Sequence, residues 1–227
     1  MAEFEDRLKT EAQEWAWVSS SSLDEGDWRA LKELVCEHPD AWWRVINAML
    51  EEAPPEFAGN LGMAPLHAIF SCDDGKTKAA AIAAARTQNR VASAVAEVLG
   101  PDQTFSLLGA EFVISTYIRY LADLDPFNAW ASEMVEERLE GDSHDAWLMV
   151  LKLIDAAPNA DIRGMIAAGP LENFILANAS AFIEQIELTA GRNRNLKDAL
   201  AGVRYSNLPD DLFDRIQTAA GVPLPRL

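Results

Sequence analysis

The side chains that could do chemistry are few and widely scattered. His38, His67 and His144 stand far apart, and none belongs to a His-x-x-x-His or Cys/His cluster of the kind that holds zinc. No Gly-x-Ser-x-Gly elbow presents a nucleophile, and Ser19 to Ser22 read as a helix end and loop. Asp74-Gly75-Lys76-Thr77 has the ending of a phosphate loop, but such a loop needs a glycine where Phe70 stands and a strand before it. Asp73 and Asp74 read better as caps of the Ala-rich helix that follows. Carboxylate pairs abound in so acidic a chain, and no single pair points to acid–base catalysis. No catalytic residue, metal or cofactor is expected, and an enzyme is the less favoured class.

Charge is the more informative property. The chain of 227 residues carries a formal net charge of −17. That charge is spread evenly, about −9 over residues 1–105 and about −8 over the rest. Such a field repels nucleic acid and anionic membrane and speeds encounter with a basic protein. Glu133, Glu136, Glu137 and Glu140 fall at i, i+3, i+4 and i+7, with Asp142 just beyond and Arg138 among them. Like charges at that helical spacing cost a few tenths of a kcal/mol per pair. The cluster is either a plain solvated helix face or a docking face for a basic partner. Trp43, beside Trp42, points off the apolar stripe, so it either packs on a neighbouring helix or serves as an exposed interface anchor. These six residues are the candidate partner-binding set. Arg192, Arg194, Lys197 and Arg204 form a basic counter-cluster that reads as neutralising the protein's own acidic surface.

Helices must position these groups, since alternating β-branched runs with Asn-Gly or Asp-Gly hairpin turns between them are missing. After Pro39, apolar residues fall at Trp42, Val45, Ile46, Met49 and Leu50, the stripe of a buried helix face. Trp147, Val150, Leu151 and Ile154 repeat it. The repetition extends further. Asp40-Ala41-Trp42 recurs as Asp145-Ala146-Trp147, Ala53-Pro54 as Ala157-Pro158, and Ala64-Pro65-Leu66 as Gly169-Pro170-Leu171. Ordered landmarks of this kind indicate an internal duplication. The expected fold is all-α, with two tandem divergent units of five to six helices packed together as a helical repeat or orthogonal bundle. The units are placed at 1–108 and 109–227. In the second, helices are predicted near 110–122, 126–140, 144–156, 170–190 (with a possible break at Asn178), 193–204 and 210–220. Asp125 before Pro126 reads as N-cap then first helical residue, and Gly141 as a helix stop.

Cys36 and Cys72 do not make a disulfide framework, and reduced core thiols are the expectation. The acidic start MAEFEDRLKTEAQEW lacks the basic-then-apolar order of a signal peptide, and no unbroken apolar run reaches spanning length. A cytoplasmic location is expected, with no membrane contact.

Trp130, Asp145-Ala146-Trp147 and Ala168-Gly169-Pro170-Leu171-Glu172 together resemble a family of uncharacterised bacterial all-helical domains. That family is marked by a Trp-rich helix pair followed by an Ala-Gly-Pro-Leu-Glu helix start, and the likeness covers about residues 112–219. The first unit departs from it, with Ala64-Pro65-Leu66-His67 at the corresponding place. The resemblance implies the fold class and supplies no activity or site. Ala-Gly-Pro-Leu-Glu itself reads as a helix start, with Pro170 first and Glu172 reaching back to the cap, His67 taking that place in the first unit. A shared ligand position is the alternative for Glu172 and His67. The functional expectation is a non-enzymatic acidic protein-binding module, of immunity or antitoxin type, that neutralises a basic partner. No direct nucleic-acid contact is expected. The alternative class is a small-ligand binder or enzyme with a pocket between the units.

Overall fold

The computed structural model describes residue 10 and residues 23–52, 63–205 and 208–224. The Ser19–Ser22 loop and the Ala53-Pro54 helix end lie outside these residues. Every regular element among the described residues is helical, and none is a strand. The chain divides into two compact units, Met1–Val113 with Asp125–Trp130, and Ile114–Leu124 with Ala131–Leu227.

The first unit begins with α1 (Glu25–Glu37), whose N-cap Asp24 accepts a hydrogen bond from the Asp27 N–H at 2.8 Å. In α2 (Pro39–Glu52) the expected stripe is the buried one: Trp42, Ile46 and Leu50 are sealed from solvent, with Val45 and Met49 half-buried at its edge. α3 (Met63–Ser71) buries Ala64, Leu66, Ala68 and Ile69. Pro65 and His67 are therefore the third and fifth residues of α3 rather than its first and third. His67 is half-buried, its ring 5.0 Å from that of Trp28, and burial lowers its pKa. Asp74 caps α4 (Gly75–Ala85) as expected, accepting from the Lys76 N–H and the Thr77 hydroxyl. The Thr77 bond is the main reason its carboxyl sits below the ordinary aspartate range. α5 (Asn89–Leu108) bends at Gly100-Pro101, where Gly100 takes a φ of 68° that favours glycine and Pro101 restarts the helix. Arg90 donates to the carbonyls of Leu50 and Glu51 in the last turn of α2, and its guanidinium lies 4.7 Å over the Phe127 ring.

The cysteines correct the sequence reading. Cys36 at the end of α1 and Cys72 just after α3 form a disulfide, with Cα atoms 5.5 Å apart. The two positions are 36 residues apart, and only the packing of α1 against α3 brings them together.

α6 (Ala110–Asp123) leads by way of a 3-10 turn (Pro126–Asn128) to α7 (Trp130–Glu140). Asp125 caps that turn through the Phe127 N–H, as its place before Pro126 implied. Gly141 follows α7 without taking a positive φ, so it ends the helix by position and not through a left-handed cap. In the second unit, α8 (Ser143–Ala156) buries Trp147, Val150 and Ile154 along the expected stripe.

A second correction follows α8. Residues 160–169, expected to be loop, are helical. Asn159 caps α9 (Ala160–Ile166) by accepting from the Ile162 N–H. The chain then widens into a π-turn (Ala167–Leu171) and runs on as α10 (Glu172–Ala190). Pro170 lies inside this turn and starts no helix, and Asn178 does not break α10. Among the described residues, Ala160–Ala190 is the one stretch long and apolar enough to cross a membrane by length and composition, and 44% of its most apolar window is buried. Its apolar stripe, including Ile162, Ile166, Leu171, Ile175, Ile183 and Ile186, faces the core of the unit. α11 (Arg194–Leu200) and α12 (Asp210–Ala220) complete the unit, with Arg215 of α12 donating to both carboxylate oxygens of Glu187 at 2.8 and 2.6 Å.

Candidate functional site

α7 is amphipathic in an uncommon way. Ala131, Met134 and Val135 are buried, whereas Glu133, Glu136, Glu137 and Glu140 are all exposed along one strip. Arg138 pairs with Asp145 of α8 at 2.8 Å. Glu136 accepts a hydrogen bond from Ser132 at 3.3 Å. Asp142 is also exposed, but its carboxylate is engaged as the N-cap of α8, accepting from the N–H groups of His144 and Asp145 at 2.9 and 3.1 Å. It contributes charge to the face while its oxygens serve the backbone. Trp43 belongs to the first unit, half-buried on α2, and the five acidic residues belong to the second.

Tyr117 of α6, which feels the charge of Glu136, is buried, with its pKa pushed up to about 12. Burial is the larger cause, and the charge of Glu136 adds to it. The phenol therefore stays protonated at neutral pH and offers no base.

A cleft of about 420 Å³ opens where the end of α7, the start of α8 and the first half of α10 meet. Glu136, Leu139, Glu140 and Gly141 form one wall, Ser143 lies at the corner, and Asn173, Phe174, Ala177 and Asn178 form the other. Two of the predicted acidic residues line this space, whereas Glu133 and Glu137 do not. Phe174 is 3% exposed and is held by Trp147 (ring centroids 5.3 Å, stacked) and Phe182 (5.2 Å, edge-on). Ser143 donates to Asn178 Oδ1 at 2.8 Å, and Asn178 donates to the Phe174 carbonyl at 3.1 Å. The cleft was missed from sequence because its second wall comes from α10. The available signal was two asparagines, poor helix formers, in the mostly apolar first half of α10.

The other marked residues have structural partners. Glu172 does not cap a helix start. Its side chain, 15% exposed, accepts from the Arg204 N–H at 3.1 Å and faces Arg204 Nε at 3.6 Å, tethering the segment after α11. The basic counter-cluster meets acids of its own unit, through Arg204 with Glu172 and Arg194 with Asp198 at 3.8 Å. Lys197 lies against Gly221, at the negative end of α12. Among the described residues, no group of three or more His, Cys, Asp or Glu is arranged to hold a metal ion.

No curated protein and no solved structure matches the chain. Residues 122–222, which hold the acidic strip and every residue of the cleft, match the model of a family of unknown function (DUF6869), so the second half of the chain is similar to an uncharacterised domain.

Proposed function

We propose that this protein is a non-enzymatic acidic binding module that docks a basic protein partner, in the manner of an immunity protein or antitoxin. The observation that carries the reading is the strip of Glu133, Glu136, Glu137 and Glu140, all exposed beside a polar cleft. A strip of this kind steers a basic partner by long-range attraction and then masks the surface it covers. The tandem arrangement of two divergent units belongs to the same proposal. It is supported by the matched burial of Trp42 with Trp147 and of Leu66 with Leu171, each pair 105 residues apart. So does the cytoplasmic location, against which the Cys36–Cys72 bridge stands as the point to test.

The experiment is affinity capture from the native cell, followed by titration of the recovered partner at low and at physiological salt. A basic partner is expected, with affinity that falls steeply as salt rises. Glu→Gln at 133, 136, 137 and 140 together should raise Kd by about tenfold or more. A partner whose affinity ignores both salt and the four substitutions would refute the reading.

A further inference from the structure

We infer that the cleft between α7, α8 and α10 is the receptor for an arginine side chain of the basic partner. This deepens the docking proposal and rests on it.

The sign of the ligand follows from the lining. Glu136 and Glu140 supply two carboxylates, and no lysine or arginine lines the space. The cleft also sits at the C-terminal end of α7, where the last carbonyls of a helix point outward and favour a cation. One feature opposes this, since α8 begins at Ser143 and a helix start attracts anions. Asp142 offsets that attraction, because its carboxylate adds a negative charge there and already accepts from the N–H groups of His144 and Asp145 in the first turn of α8. An anion entering the cleft would meet two glutamates and a helix start already capped.

The shape of the ligand follows from the acceptors. The Glu136 and Glu140 carboxylates, the Ser143 hydroxyl and the Asn178 carbonyl oxygen come from three helices. A planar guanidinium with five donors can reach several such acceptors at once, whereas an ammonium is a compact point charge. Phe174 supplies an apolar floor for the methylene stem, and its ring is already fixed by Trp147 and Phe182. A floor held in place loses little freedom on binding. A volume of about 420 Å³ is ample for one such side chain.

The test is a titration of the isotopically labelled full-length protein with a short tri-arginine peptide, followed by NMR through the side-chain amides of Asn173 and Asn178. Lysine and citrulline counterparts of the peptide serve as controls. The arginine peptide should move both amides, the lysine peptide should bind at least about threefold more weakly, and the citrulline peptide should leave both in place. Glu136→Gln with Glu140→Gln should weaken binding about tenfold, but Glu133→Gln with Glu137→Gln, which removes the same charge, only about twofold. Ala177→Trp, at an exposed position, should fill the cleft and abolish the arginine shifts while salt-dependent attraction persists. Equal effects of the two glutamate pairs, or an unaffected Ala177→Trp variant, would overturn the cleft assignment and leave the docking face intact. Equal binding of the lysine peptide would overturn the guanidinium assignment. Free arginine binding as well as the peptide would reassign the cleft to a small ligand. If no basic peptide or protein binds even at low salt, both readings fall.

Discussion

Breaking the Cys36–Cys72 bridge should destabilise the first unit and leave the second alone. The bridge closes a loop over a sequence separation of 36 residues. In the chain-entropy account, a cross-link of that span removes about 13 cal/mol/K from the unfolded chain, or about 4 kcal/mol at 25 °C. For a unit of about 120 residues, each kcal/mol moves the midpoint by about 4 °C, so full reduction should lower it by about 15 °C. The assay is thermal unfolding with and without reductant, with thiols counted by alkylation and the two units followed separately by hydrogen exchange. Cys36→Ser, Cys72→Ser and the double variant should have nearly the same effect, because each removes one shared bond. The Cys72 Sγ lies 3.1 Å from the Ala68 carbonyl, where a serine would gain a hydrogen bond of its own, so Cys36→Ala with Cys72→Ala is the cleaner comparison. A first unit whose midpoint moves by less than about 2 °C after proven reduction would refute the entropic argument. The same alkylation in intact cells tests location. Free thiols fit a reducing cytoplasm, and a fully oxidised pair refutes that placement.

Three further outcomes follow from individual contacts. Arg215 holds the Glu187 carboxyl below its ordinary value of 4.5, so the stability it contributes is complete above that value and is lost as pH falls through the lowered one. Urea denaturation from pH 7 down to pH 3 should therefore show a shallower acid limb in Glu187→Gln than in the wild type. Tyr117 has the opposite sign. Its raised pKa adds stability below its ordinary value of 10.0, which is lost as pH rises towards about 12. Absorbance titration should find that Glu136→Gln lowers the Tyr117 pKa only partly, because burial is the larger cause, and an unchanged value would contradict the contact. Glu172→Ala removes the acceptor of the Arg204 N–H and should cost about 1–2 kcal/mol in urea unfolding, with Glu172→Gln recovering most of it.

What was legible in the sequence was local. The stripes of α2 and α8, the Asp74 cap and the Asp125-Pro126 turn each depend on residues within two turns of one another, and each formed as its spacing implied. The acidic strip of α7 was legible for the same reason. Features set by tertiary packing were hidden. The disulfide joins positions 36 apart, Glu172 finds its partner 32 residues away, and Ser143 meets Asn178 across 35. Glu172 was also misread because Pro followed two residues later by Glu has a complete local explanation as a helix start. A satisfying local reading gave no reason to look for Arg204.

The loop expected at 160–169 shows how a correct periodicity argument can fail. Ile162 and Ile166 mark one buried stripe, and Leu171, Ile175 and Ala179 mark another. From Ile162 to Leu171 is nine residues, or two and a half turns of an α-helix, so a straight helix would set the stripes on opposite faces. Two stripes out of phase, with Gly169-Pro170 between them, look like two helices and a loop. The chain instead takes the five-residue step from Ile166 to Leu171 as a π-turn, whose i→i+5 bonds admit one extra residue per turn. Pro170 fits there because a widened turn relieves the clash and the missing N–H that would kink an α-helix. The phase slip keeps both stripes on one core. It also fixes which face of α10 follows, bringing Asn173, Ala177 and Asn178 out beside Glu136 and Glu140. The irregularity that defeated the sequence pattern is thus the one that builds the second wall of the cleft.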